Sequence, residues 1–138
     1  MNPTNTFVLA SDDCPVDQSV IPTPKADKQT LASLQYQILT SHPYRYTLDE
    51  LILEVHLRRL GLSEAERAQQ APQIRAELFR KSHPCMRASP LPKTYGFGVH
   101  YDQQGRIAIY PIDSAEYQRL AHSTDLTVVK GLRNRRAA

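Results

Sequence analysis

The sequence predicts a single α+β domain: an antiparallel sheet, made of an N-terminal strand and a β-hairpin over 94–112, packs against three to four helices around a central helix at 47–60. Three observations lead there. Large apolar residues recur at every second position, Phe97, Val99 and Tyr101 before and Ile107, Ile109 and Pro111 after Asp102-Gln103-Gln104-Gly105, which is a hairpin signature. Thr47 to Gly61 is a segment with start and stop signals and apolar residues at helical spacing. The 138 residues, 41% apolar and 22% charged, have the length and composition of one globular domain able to bury its own core.

Taken in order, Asn5–Ser11 reads as a short strand with Phe7 and Leu9 on one face and Thr6, Val8 and Ala10 on the other. Asp12-Asp13-Cys14-Pro15 breaks it, because proline has no amide to continue a ladder. A polar connection with Pro22 and Pro24 leads to a helix over about 28–40, carrying Leu31, Leu34, Ile38 and Leu39, which His42-Pro43 ends. Thr47 and Glu50 form a capping box, and Gly61 is the stop. Between them Leu48, Leu51, Ile52 and Val55 form one apolar stripe and Leu53, Leu57 and Leu60 another, so this helix is expected to be packed on two sides. Ser63 and Glu66 open a short helix that Pro72 should interrupt, with a further helix from Pro72 to about Lys81.

The hairpin has a definite expected register. A type I turn followed by Gly105 in the left-handed region pairs Asp102 with Arg106, hence Tyr101 with Ile107, Val99 with Ile109 and Phe97 with Pro111 on an apolar face. The other face pairs His100 with Ala108 and Gly98 with Tyr110, leaving a small-residue floor that a helix or a ligand can approach. Asp113 with Glu116 opens a last short helix, and Leu126–Val129 could add a strand. Residues 1–122 are read as the domain and 123–138 as a basic C-terminal tail with the composition of a flexible end.

No stretch approaches the roughly 18 apolar residues a membrane span needs, and the N-terminus lacks the regions of a signal peptide, so no membrane is expected and a cytoplasmic location is. There Cys14 and Cys85 should be free thiols. The net charge of +3 sits wholly in the tail, where Lys130, Arg133, Arg135 and Arg136 face only Asp125. A neutral body offers no broad phosphate-binding face, which argues against nucleic acid as a partner. Binding through the tail or a winged-helix-like arrangement remains the third choice. The long connection between the helices and the short hairpin loop count against the latter.

The chemistry concentrates in His83–Lys93. If extended, this piece points His83, Cys85, Arg87 and Ser89 to one side, where Arg87 and His83 could activate the Cys85 thiol. The plainer alternative is an ordinary buried cysteine in a proline-rich loop, with Arg87 in a salt bridge. Thiol-phosphatase chemistry is excluded, since its arginine position is occupied by Leu91. No glycine-rich phosphate loop and no structural zinc spacing is present. A Ser89–His100–Asp102 relay lacks a nucleophile elbow.

Several stretches carry a family resemblance: Asn5-Thr6-Phe7-Val8, Asp13-Cys14-Pro15-Val16, Leu34-Gln35-Tyr36, His42-Pro43-Tyr44-Arg45-Tyr46-Thr47, Leu53-Glu54-Val55, Cys85-Met86-Arg87-Ala88-Ser89-Pro90-Leu91, Tyr95-Gly96-Phe97-Gly98-Val99-His100 and Gly105-Arg106-Ile107-Ala108-Ile109-Tyr110. With these the chain resembles an uncharacterised domain-of-unknown-function family of small bacterial and fungal proteins, the one numbered 6157. The resemblance covers nearly all of the chain except the basic tail. It implies a single compact domain and no activity, cofactor or catalytic residue.

The expectation is therefore a small binding module for an anionic ligand or a protein partner, with a ligand site made of His83, Cys85, Arg87, Ser89, Lys93, His100 and Tyr110. The alternative is an enzyme using Cys85 or His100. Catalytic residues are not assigned, no metal site and no cofactor are implied, and self-association is left open.

Overall fold

The computed structural model describes residues 2–25 and 28–135. Its elements run β1 (Thr6–Leu9), α1 (Leu31–Ser41), α2 (Leu48–Leu60), α3 (Glu64–Leu78), β2 (Phe97–Tyr101), β3 (Ile107–Pro111), α4 (Ala115–Ala121) and β4 (Thr127–Lys130). The four strands form one sheet in the order β3-β2-β1-β4. The domain is α+β as expected, and β1, β2 and β3 pair antiparallel. β4 is the departure, lying parallel to β1 and making the sheet mixed. It ties part of the basic tail into the sheet, and Arg136 lies outside the described residues.

The hairpin register is the expected one, Phe97 to Pro111, Val99 to Ile109 and Tyr101 to Ile107. Gly105 has φ +79°, and the Asp102 carboxylate accepts from the amides of Gln104 (2.8 Å) and Arg106 (2.9 Å), which closes the turn. Because side chains alternate, Val8, Val99, Tyr101, Ile107 and Ile109 face the main core with α1 and α2, while Phe7 faces Tyr117 and Leu120 of α4. The small-residue floor at Gly98 is filled by a helix. A Cβ there would collide with the Phe7 ring and stand 2.7 Å from Tyr117 Cε2.

α2 begins with the Thr47–Glu50 capping box and ends at Gly61 with φ +66°, as expected. α1 starts at a Thr30–Ser33 capping box, and the cap of α4 is Ser114 in place of the expected Asp113. The larger correction is α3. Pro72 does not divide it; one helix runs through. Proline removes one amide from the helix ladder, which strands the Ala68 carbonyl. Both residues are exposed and no residue of α3 is buried, so water can take the place of the missing donor.

Candidate functional site

The residues expected to share one pocket are distributed over three places. The extended run that would align His83, Cys85, Arg87 and Ser89 does not form, because Met86–Ala88 is a 3₁₀ turn and Leu91–Tyr95 a π-helical turn. The reason lies in packing. Met86 and Leu91 are 1% and 0% exposed, and the chain must turn to bury both while Pro84, Pro90 and Pro92 withhold amides from any ladder.

Ser89 and Arg87 of this piece then have structural partners, whereas the Lys93 ammonium makes no ion pair among the described residues. Ser89 is buried, donating to Gln35 Oε1 (2.6 Å) and accepting from the Leu91 amide (3.1 Å). Arg87 donates through Nε to the Lys130 carbonyl (2.7 Å), and its own carbonyl receives the Leu132 amide (2.8 Å), stitching the turn to the chain at β4. Cys85 packs partly buried against the main core, and both cysteines are free. The Lys93 carbonyl accepts from Ser11 Oγ and Asn134 Nδ2.

His100 lies on the other face of the sheet from Ser89, so the Ser89–His100–Asp102 relay does not form. The structure does bring His100 together with Tyr110, through a residue that sequence reasoning missed. The Tyr44 hydroxyl lies 2.8 Å from His100 Nδ1 and 2.7 Å from the Tyr110 hydroxyl. With Nδ1 as acceptor, the chain runs from the Tyr110 O–H to the Tyr44 O–H to the imidazole. Burial lowers the His100 pKa, with Asp102 opposing and Arg119 reinforcing, which keeps the ring neutral and able to accept. Burial and the Tyr110 contact push the Tyr44 phenol upward, so it stays protonated and able to donate. Tyr44 sits at φ +59°, a left-handed conformation that costs a non-glycine on the order of 1 kcal/mol. Its amide donates to the Ile107 carbonyl and the Ile107 amide donates to Tyr46, both at 2.9 Å, so the loop covers the outer edge of β3. Only an aromatic in the His-Pro-Tyr-Arg-Tyr-Thr connection hinted at this.

His83 belongs to a third place. α2 and α3 are clasped near their connecting turn by Glu54, which receives Arg58 (2.8 Å) and Arg67 (3.1 Å). Burial works to raise the Glu54 pKa, but the two guanidiniums prevail and hold it below the usual carboxylate range. Farther from the turn the helices leave a groove of about 640 Å³, lined among others by Asp49, Arg75, Arg80, Lys81, Ser82 and His83. His83 Nε2 donates to the Leu78 carbonyl (2.7 Å), satisfying the C-terminal end of α3, and its ring meets Phe79 edge-on at 5.6 Å. Arg75 stacks over the Phe79 ring at 5.2 Å, which leaves its guanidinium edge for other partners.

Among the described residues Arg75, Arg80 and Lys81 make no ion pair, and Asp49 is the sole carboxylate lining the groove. Such an arrangement can hold an anion by charge-assisted hydrogen bonds. The signal available in the sequence was Arg80-Lys81 just before His83. No group of three or more His, Cys, Asp or Glu side chains converges as a metal site among the described residues.

No curated protein and no solved structure matches the chain. The family of unknown function DUF6157 matches residues 1–137, and the chain belongs to that family.

Proposed function

We propose that the protein binds a small anionic ligand in the groove between α2 and α3. One observation carries this: Arg75, Arg80 and Lys81 line one groove with Asp49 as its sole carboxylate, and none of the three is ion-paired among the described residues. Glu54 serves Arg58 and Arg67, and Asp12 serves Lys130 and Arg133. The site expected around Arg87 and Lys93 thus moves to Arg75, Arg80 and Lys81, and His83 is retained. A cytoplasmic setting accords with the free thiols of Cys14 and Cys85.

An enzyme built on Cys85 or His100 has less support, since Cys85 rests on the apolar core and His100 holds the Tyr44 loop. Nucleic-acid binding through the tail loses the charges that Asp12 takes up. Thermal unfolding with and without pyrophosphate tests the reading. At ten times its dissociation constant the anion should raise Tm by roughly 4 °C. The Arg80→Glu/Lys81→Glu double variant should lose the shift and Lys93→Glu keep it. A shift that survives the double variant defeats the reading.

A further inference from the structure

We infer that the anion held in this groove carries an aliphatic chain, and that the chain lies in the apolar cleft beside it. The inference rests on the anion-binding reading above. A cleft of about 240 Å³ is bounded by Leu31, Ile52, Val55, Leu78 and Pro84, and it shares Ile52 and His83 with the basic groove. The two spaces are therefore neighbours, one charged and one apolar, on either side of His83.

Two features mark the cleft as fit for a hydrocarbon chain. Gln35 lines it, yet its amide is committed to the interior, with Oε1 receiving Ser89 and Nε2 directed at Met86 Sδ (3.8 Å). What it can offer the cleft is its methylene stem. Leu78, which lines the cleft from α3, is only half-buried as well. Leu31 remains 36% exposed although it adjoins the core residues of α1. His56 and Arg59 stand among the lining residues as the polar groups that meet water. The occupant that suits both spaces is a single-chain aliphatic anion, its head on Arg75, Arg80 and Lys81 and its chain past His83 toward Leu31.

Calorimetric titration with inorganic, ethyl, butyl and hexyl phosphate tests this, on the wild type and on Leu31→Gln, a substitution at a partly exposed first-turn position. Affinity should rise about two- to fourfold per added methylene in the wild type. The variant should bind inorganic phosphate as the wild type does and lose most of the gain with chain length. A flat series in which every phosphate binds equally overturns the chain and leaves the anion site standing. No binding by any of them overturns both. Co-sedimentation with phosphatidylcholine vesicles containing phosphatidic acid, insensitive to competing hexyl phosphate, would assign the anion to a membrane surface and overturn the proposal.

Discussion

The two ends of the molecule treat their polar and apolar groups in opposite ways. On the sheet side α4 lies so close over β1 and β2 that Gly98 has no room for a methyl group, and His100 and Tyr110 are both committed to Tyr44. No buried side-chain nitrogen or oxygen lacks a partner among the described residues. At the α2–α3 corner no residue of α3 is buried and the groove cations stand without acidic partners. Histidine, serine and arginine look functional in a sequence by type alone. Here His100, Ser89 and Arg87 serve the architecture, and it is the corner two helices leave uncovered that gathers three unpaired cations in one groove.

The contrast can be broken at its closed end first. Gly98→Ala should cost the most, about 3 kcal/mol, since Phe7 and Tyr117 would have to move. Urea unfolding measures it, and a cost near zero would mean that α4 packs loosely. Ser89→Ala should follow at about 2 kcal/mol, because it strands Gln35 Oε1 and the Leu91 amide inside the protein. Replacing Gln35 by Leu in that background should recover part of the loss, as both partners of the buried bond are then apolar. Tyr44→Phe should cost about 1 kcal/mol and Tyr110→Phe roughly half of that, because Tyr44 makes both hydrogen bonds of the relay. Equal costs would show that the hydroxyls do not act through Tyr44.

The smallest effect is one of pH. Burial first, and Arg119 with it, lowers the His100 pKa from the ordinary 6.5, against the pull of Asp102. The unfolded chain then takes up a proton more readily than the folded one. The contribution of His100 to stability is complete above 6.5 and is lost as pH falls from there through the folded value. Unfolding free energies measured from pH 7 down to pH 5 should decline, and His100→Asn should flatten that decline. An unchanged slope in the variant would remove His100 from the account.

How much of this was legible in the sequence follows from the range of the interactions. The hairpin register could be read because period-two alternation and one turn determine it locally, and α2 because Thr47, Glu50 and Gly61 mark its ends. α3 was misread as two helices because the penalty at Pro72 depends on exposure, a tertiary property. The alternation of His83, Cys85, Arg87 and Ser89 was real in the sequence but lost to the burial of Met86 and Leu91. Tyr44 meets His100 and Tyr110 across 56 and 66 residues, and the groove joins two helices with the chain beyond them. Neither has a local pattern to announce it.

The central claim is that the open corner, and not the His83–Lys93 stretch as a whole, is where the protein meets its ligand. A titration of the isotope-labelled protein with hexyl phosphate, followed by amide NMR shifts, tests it most directly. The account predicts perturbations gathered at Asp49, Ile52, Arg75 and the run from Phe79 to His83, and along the cleft at Leu31, Val55 and Leu78, with Arg87, Lys93 and His100 unmoved. Shifts centred on Arg87, Lys93 and His100, or none anywhere at saturating ligand, would contradict it.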